Sequence, residues 1–171
     1  MITVDLGSGG RLGLSPAQAW AVLEQLENGL EERRDVDAPP NRPFPLHRWL
    51  DDDDPTWDRH SGGGRDVGEW DVSKDLERAA TLYASTPANV RYFLDFLADR
   101  PGRLLDADEI WERSEGRFTG RSSLSGALSG IAEPYRASHR NYPFYWWKGE
   151  PSQYAMKPSV AELFRTARRL A

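Results

Sequence analysis

Apolar positions alternate with polar ones near the start of the chain. Residues 2–14, ITVDLGSGGRLGL, alternate on either side of a Gly-Ser-Gly-Gly break, which predicts a short β-hairpin. Ser15 and Pro16 are typical of an N-cap and a first helical residue, and apolar residues follow at spacings of three and four. Residues 1–34 are therefore predicted to form a hairpin-plus-helix unit. Such a unit is too small to be stable alone and is expected to dock on the rest of the chain or on a second copy.

Residues 35–72 show no regular periodicity. They contain five prolines, four glycines and ten acidic against four basic residues, a composition typical of a linker. Trp49, Trp57 and Trp70 interrupt this segment, and tryptophan is uncommon in segments that bury nothing. We therefore expect a long irregular segment, here named the acidic excursion, that is held against the protein at its tryptophans.

Helical spacing of apolar residues resumes after the acidic excursion. The predicted elements are a helix capped by Ser73, a helix starting at Thr86 and Pro87, a helix introduced by the capping-box sequence DADE at 106–109, a helix from about Arg121 to Pro134, a β-hairpin over 142–157 and a helix after Pro158. The order is helix, turn, helix, turn, helix, hairpin, helix from residue 87 onward.

The predicted hairpin is unusually aromatic, with six aromatic side chains between residues 142 and 154. In a strand, Phe144 and Trp146 point to one face while Tyr145 and Trp147 point to the other. One pair is expected to cap the helical core. The other pair either packs inside the protein as well or meets solvent, the N-terminal unit or a partner.

This order of elements resembles the winged helix-turn-helix family. NVRYFLDFLADRPG is similar to its first helix, DADEIWERS to its second, GRSSLSGALSGIAE to its recognition helix and YPFYWWKGEPSQYAMKP to its wing. The phrase FLDFLADRPGRLLDADEIWE in particular resembles the opening of such domains in bacterial regulators. The resemblance covers roughly residues 75–171. The predicted fold class is α+β, with a hairpin-helix unit at 1–34, the acidic excursion at 35–72 and a winged helix domain at 73–171.

The net charge of −5 is unevenly distributed. Residues 1–99 carry 10 Lys and Arg against 19 Asp and Glu, whereas residues 100–171 carry 12 against 8. The positive C-terminal part suits the nucleic-acid binding that the resemblance implies. The run Asp51 to Asp54 suggests a further hypothesis, in which these carboxylates mimic phosphates and cover the protein's own basic face when nucleic acid is absent.

The predicted recognition helix presents an apolar face of Leu124, Leu128 and Ile131 opposite a face of small, hydroxyl-rich residues. The resemblance implies that the start of this helix and the segment leading to the wing face double-stranded DNA. The candidate DNA-binding residues are Arg117, Arg121, Ser122, Ser123, Ser125, Ser129, Arg136, His139, Arg140 and Lys148. Apart from Arg121, the helix lacks the Arg, Asn and Gln side chains that read base edges, so we expect mainly phosphate contacts with limited base readout.

The alternative hypothesis is a protein–protein interaction module without nucleic-acid binding. Its candidate partner-binding residues are Gly126, Gly130, Tyr145 and Trp147, which would form a docking patch for a helix. The placement of the arginines separates the two hypotheses. Convergence of Arg121, Arg136 and Arg140 with the serine face favours DNA, whereas their pairing with the acidic excursion favours a protein partner.

Other chemistry has weaker support in the sequence. HRWLDDDDPTWDRH at 47–60 lacks the fixed spacing of a metal site, GSGG lacks the Lys-Ser/Thr of a P-loop, and the serine-rich helix lacks a Gly-x-Ser-x-Gly elbow. We therefore expect no enzymatic activity, no metal and no cofactor. The absence of cysteine and of any apolar run near 18 residues leads us to expect a cytoplasmic protein outside the membrane. A homodimer formed through the N-terminal unit is a further hypothesis.

Overall fold

The computed structural model describes the backbone of residues 2–5 and 11–14 and, with every side chain but that of Glu133, residues 42–45, 48–61 and 67–171. The chain divides into two compact units, residues 1–38 and residues 39–171. No helix in the described part is long and apolar enough to cross a membrane.

The first unit contains two short strands, β1 (Ile2–Asp5) and β2 (Arg11–Leu14). They pair antiparallel, with Ile2 opposite Leu14 and Asp5 opposite Arg11. The predicted hairpin pairing is therefore confirmed. The helix predicted after Ser15 lies outside the described residues.

The second unit is α+β, as predicted. Its elements are α1 (Leu76–Ser85), α2 (Ala88–Ala98), β3 (Leu105–Asp106), α3 (Ala107–Glu112), α4 (Arg121–Leu128), α5 (Ala132–Ser138), β4 (Tyr145–Trp147), β5 (Gln153–Ala155) and α6 (Pro158–Leu170). Strand β5 lies between β3 and β4 and pairs antiparallel with both. The helices supply most of the core, and the sheet closes one side of it.

The main core forms where α2 meets α6 and the sheet. Phe93 of α2 is fully buried, and its ring packs edge-on against Phe144 and Tyr154 at centroid distances of 5.0 and 5.4 Å. Phe164 of α6 is also buried and packs edge-on against Trp70. Burying each such side chain contributes about 1.5–3 kcal/mol to folding. The helix predicted after Pro158 is confirmed as α6, and its buried face includes Val160, Leu163, Phe164 and Ala167.

Of two predicted helix caps, the one at Ser73 is wrong, and the one at Asp106 has the predicted position but not the predicted hydrogen bond. The N-cap of α1 is Asp75, and the Ser73 hydroxyl instead donates to Asp71 at 2.6 Å. Asp106 does occupy the N-cap of α3, but its carboxylate forms an ion pair with Arg42 and makes no cap hydrogen bond. A charged partner forms a stronger hydrogen bond than a backbone amide, so the capping box does not form at DADE.

The sequence pattern missed helix α5. The predicted recognition helix ends at Leu128, six residues before Pro134, and a 3₁₀ turn at Ser129–Ile131 leads into α5. Pro134 is the third residue of α5, within the first turn, where the missing backbone N–H breaks no helical hydrogen bond. The helix ends at His139, whose φ of 51° gives a left-handed C-cap.

The described residues of the acidic excursion belong to the second unit and pack against its helices and sheet. Trp57 and Trp70 are buried, which confirms the prediction for these two, whereas Trp49 remains 42% exposed. The Trp57 indole N–H donates to the Asp51 carbonyl at 2.6 Å, and that of Trp70 to the Asn141 carbonyl at 2.7 Å. Trp49 is held by its backbone instead, because it forms an antiparallel bridge with Arg103.

Replacing Gly102 with alanine is expected to destabilise the protein strongly. Gly102 has a φ of 76°, and a Cβ there would lie 2.3 Å from the Leu50 carbonyl oxygen. We expect Gly102→Ala to lower the free energy of unfolding by about 3 kcal/mol, measured by urea denaturation. Gly116→Ala is the control, since Gly116 has a φ of 82° but no atom within 4 Å of the added Cβ. It should cost about 1 kcal/mol, and equal losses would contradict the close approach at Gly102.

Candidate functional site

Helix α4 presents a surface of small side chains. Leu124 and Ile131 are buried beneath it, as the helical spacing predicted. The exposed residues of this face are Ser122, Ser125, Gly126, Ser129 and Gly130, while Ser123 is half-buried. A surface of serine and glycine allows another chain to approach the helix backbone closely.

An aromatic cleft lies between α4 and the hairpin. It has a volume of about 220 Å³ and is lined by Ser125, Leu128, Tyr142, Phe144, Trp146 and Tyr154. Tyr142 is held rigidly, because its ring stacks on Tyr135 at 4.1 Å and meets the edge of Trp146 at 5.7 Å. Ser125 of α4 and Tyr154 of the hairpin both line the cleft, one from each side. The cleft is thus preformed, with aromatic walls and one hydroxyl at its rim.

A second groove runs along the opposite side of α4. Its volume is about 330 Å³, and residues 87–90 at the start of α2 face Gly126, Ala127, Ser129 and Gly130. A Cβ at Gly130 would lie 3.3 Å from the Pro87 ring, so glycine permits the close approach of the two segments. The α4 surface is therefore bordered by a groove on each side.

Arg121, at the start of α4, forms an ion pair with Asp108 of α3. Both its Nε and its Nη2 donate to the Asp108 carboxylate, and this hydrogen bonding is the main reason that the pKa of Arg121 is raised. Glu150 and Asp106 add further negative charge nearby. Bidentate pairing neutralises the one cation of α4 within the protein itself.

Arg140 is paired in the same way at the other end of the domain. It donates to both carboxylate oxygens of Asp75, at 2.7 and 3.0 Å, and its backbone forms a bridge with Gly68 of the acidic excursion. The hydrogen bond from Arg140 is the largest cause of the lowered pKa of Asp75, which is buried. The neighbouring Asn141 side chain donates to Glu69 at 2.6 Å. The segment leading into the hairpin is thus tied to the acidic excursion.

The remaining predicted DNA contacts are exposed but lie beside different elements. The Arg117 guanidinium lies 5.1 Å from the Tyr92 ring of α2. Arg136 and His139 are exposed at the end of α5, and Lys148 is exposed in the hairpin turn. Of the predicted cations, Arg121 is thus directed to Asp108 of α3 and Arg140 to Asp75 next to α1.

Tyr145 and Trp147 are buried, so the prediction that they form an exposed docking patch is wrong. Their relative exposures are 7% and 2%. Trp57 packs against both rings, at 5.0 and 5.8 Å, and Phe44 meets Trp147 edge-on at 5.7 Å. The acidic excursion therefore covers the face of the hairpin that the sequence left unassigned. The alternation of faces is confirmed, because Phe144 and Trp146 pack on the main core.

The aspartate run contacts other groups than the predicted basic face. Asp52 accepts hydrogen bonds from the backbone and hydroxyl of Ser159, and Asp54 forms an ion pair with Arg48 at 3.0 Å. These contacts give no support to the phosphate-mimic hypothesis. Over the part of the chain that the structure describes, no three His, Asp or Glu side chains come together to hold a metal ion. His47 lies outside that part.

Sequence reasoning missed five residues of the aromatic cleft, namely Leu128, Tyr142, Phe144, Trp146 and Tyr154. The dense aromatic stretch was the available signal, but spacing and alternation indicated only which of these side chains face the helical core. Leu128, Tyr142 and Trp146 are half-buried, whereas Phe144 and Tyr154 are buried. The exposure of these side chains depends on how α4 packs against β4. Local sequence patterns do not contain that information.

Comparison with known proteins gives one family. The model of a family of unknown function, DUF6416, matches residues 76–171. This range begins with α1 and includes every later helix and strand named above. Neither the curated proteins nor the solved structures include a match to the chain.

The Asp75–Arg140 pair makes a prediction about pH. Because the pKa of Asp75 is lowered in the folded protein, its stabilising effect is complete above the unfolded-state value of about 3.9 and is lost as the pH falls through the lowered value. Asp75→Asn should therefore lower the melting temperature at pH 7, and the difference from the wild type should narrow below about pH 3.9.

Thermal unfolding followed by circular dichroism from pH 7 to pH 2 measures this difference. Glu77→Gln is the control, since Glu77 is exposed on the same helix and should leave the melting temperature nearly unchanged at every pH. A gap between Asp75→Asn and the wild type that stays constant down to pH 2 would refute the proposed role of the carboxylate.

Proposed function

The chain belongs to the family of unknown function DUF6416, and from its geometry we propose that residues 76–171 form a winged-helix domain that binds a helical segment of a partner protein. The observation that carries this proposal is the combination on α4 of a small, neutral surface with an aromatic cleft and an arginine already paired to a carboxylate.

The order of elements supports the winged-helix assignment. Helices α2, α3 and α4 are followed by the hairpin β4–β5 and by α6, the order predicted from the resemblance. Helix α5 is an addition between the recognition helix and the wing. Strand β3, between α2 and α3, pairs with the hairpin and ties the wing to the helices.

The ion pairs argue against a surface built for phosphate contacts. Affinity for DNA comes largely from cations that neutralise phosphates and release counterions. Arg121 and Arg140 would each have to leave a bidentate carboxylate before contacting a phosphate. That exchange is most costly at Arg140, because it leaves the carboxylate of Asp75, which is buried, without its partner.

The size and lining of the aromatic cleft indicate which kind of side chain the partner inserts there. A volume of about 220 Å³ is smaller than most small-molecule sites but sufficient for one large apolar side chain. Such pockets accept the anchor residue that dominates a protein interface. The serine and glycine surface beside the cleft lets a helix backbone lie close to α4. We therefore expect an amphipathic helix with one large apolar anchor, such as leucine, phenylalanine or tryptophan.

Selection of displayed peptides tests this proposal. A library of amphipathic helices, each with one large apolar residue, is selected on the full chain, and the affinities of the selected peptides are measured by fluorescence polarisation. Ser125→Phe should fill the cleft and weaken binding by about tenfold or more. Ser85→Phe, an exposed serine on α1, is the matched control and should change affinity by less than about twofold.

Failure to select any peptide, or selected peptides that bind Ser125→Phe as well as the wild type, would reject the cleft as the binding site. Thermal melts of both variants establish that they are folded, so that a loss of binding reports on the cleft.

DNA binding is the second candidate function. It is favoured by the excess of 12 basic over 8 acidic residues in residues 100–171 and by the exposure of Arg117, Arg136 and Lys148. On this alternative, phosphate contacts would come from these three positions in addition to the serine hydroxyls of α4.

A further inference from the structure

One segment of the acidic excursion pairs with the domain through its backbone, at an antiparallel bridge between Trp49 and Arg103. We name the described residues 42–45 and 48–61 the strap. The backbone N–H of Leu50 donates to the Gly102 carbonyl at 2.8 Å, and that of Leu104 donates to the Arg48 carbonyl at 2.9 Å. This main-chain pairing extends the sheet beyond β3, as in the recognition of extended peptides by a sheet edge.

The start of the strap is held by side chains of the domain. The side-chain amide of Gln153 accepts from the Phe44 backbone N–H and donates to the Phe44 carbonyl, both at 3.0 Å. Gln153 is fully buried, so these two hydrogen bonds are shielded from water. Two residues earlier, Arg42 forms an ion pair with the buried carboxylate of Asp106. The domain thus recognises an arginine, a backbone and an aromatic residue within three positions.

Apolar side chains of the strap fill the outer face of the hairpin. A small hydrophobic cluster contains Leu50 and Trp57 of the strap, with Phe44 packed against it. The domain contributes Leu104, Tyr145, Trp147 and Ala155. The Trp57 ring is 3% exposed, whereas the Trp49 ring of the same segment is 42% exposed. Phe44 and Trp57 are therefore the aromatic anchors, and Trp49 is not.

The end of the strap forms hydrogen bonds with backbone groups at the outer edge of β4. The Ser61 backbone N–H donates to the Trp146 carbonyl at 2.7 Å, and the Lys148 backbone N–H donates to the Ser61 hydroxyl at 2.8 Å. The Trp147 indole N–H donates to the Thr56 carbonyl at 3.2 Å. An unpaired strand edge favours pairing with other chains, and the strap removes this hazard.

The main core of the domain contains none of the strap's side chains. Every residue of that core lies between Trp70 and Ala167, and the strap contributes only to the separate smaller cluster. The family match also begins after the strap, at residue 76. The strap therefore packs on the surface of the domain, as a bound peptide packs on its receptor, and not in its main core.

We propose that the outer face and edges of the β4–β5 hairpin are a binding site for an extended peptide that carries an arginine, an aromatic residue two positions later and a second aromatic anchor, and that the strap is its intramolecular occupant. Charge complementarity supports this assignment, since burial raises the pKa of Asp106 and the Arg42 guanidinium opposes that shift by pairing with its carboxylate. The site lies on the opposite face of β4 from the aromatic cleft, so the inference does not depend on the proposed function.

A cleavable full-length chain tests the proposal. A protease recognition sequence replaces residues 62–64, and the nicked protein is mixed with a fluorescent peptide of residues 39–61. We expect the two pieces to remain associated after cleavage and the labelled peptide to exchange onto the C-terminal piece. Peptides with Trp57→Ala or Arg42→Ala should bind about tenfold more weakly. The matched control, Trp49→Ala, should bind within about twofold of the wild type because its side chain is exposed.

Circular dichroism of the separated C-terminal piece distinguishes a ligand from a core segment. Retention of helical signal and of a cooperative melt is expected. Loss of both on release, or equal affinity of the Trp57→Ala and wild-type peptides, would overturn the proposal. Dimers of the intact chain that form at high concentration and require Trp57 would overturn the intramolecular assignment and identify a second copy's strap as the occupant.

Discussion

The packing around the hairpin depends on the two-sided burial of strand β4. Phe144 and Trp146 pack toward the helices, while Tyr145 and Trp147 pack toward the acidic excursion. A strand with large aromatic rings on both faces exposes a large apolar surface unless each face has a cover. The helices provide one cover and the strap provides the other, which explains why a proline-rich, acidic segment is well packed here.

This arrangement also determines which surfaces remain open. The outer face of the hairpin is occupied, so the open surface next to the hairpin is the side where β4 meets α4. There the aromatic cleft and the small side chains of α4 lie together. The charges on this side of the protein are also paired, because Arg121 is neutralised by Asp108 and Arg140 by Asp75. The surface that resembles a recognition helix is therefore close to neutral where a DNA reader is positive.

Periodicity predicted the helices well because their apolar faces are simple. The buried face of α6 and the split of α4 into a buried and an exposed side followed directly from spacings of three and four. The first-turn position of Pro134 in α5 was missed because proline was taken as a helix end. The caps at Ser73 and Asp106 failed because their partners, Asp71 and Arg42, were not considered.

The candidate site was less predictable than the fold. Basic residues were grouped by sequence proximity, but ion pairing depends on contacts such as Arg140 with Asp75, which are 65 positions apart. The burial of Tyr145 and Trp147 likewise depends on a segment almost a hundred residues earlier. Local patterns carry no information about such contacts.

Titration of mixed-sequence duplex DNA with the full chain tests the account most directly. The measurement is made at low and at moderate salt, with Arg121→Ala/Arg140→Ala as the paired variant. The account predicts weak binding at low salt that disappears at moderate salt and is the same for the variant, since both arginines already have carboxylate partners. Tight, salt-sensitive binding that the double substitution weakens would contradict it and identify α4 as a DNA-binding helix.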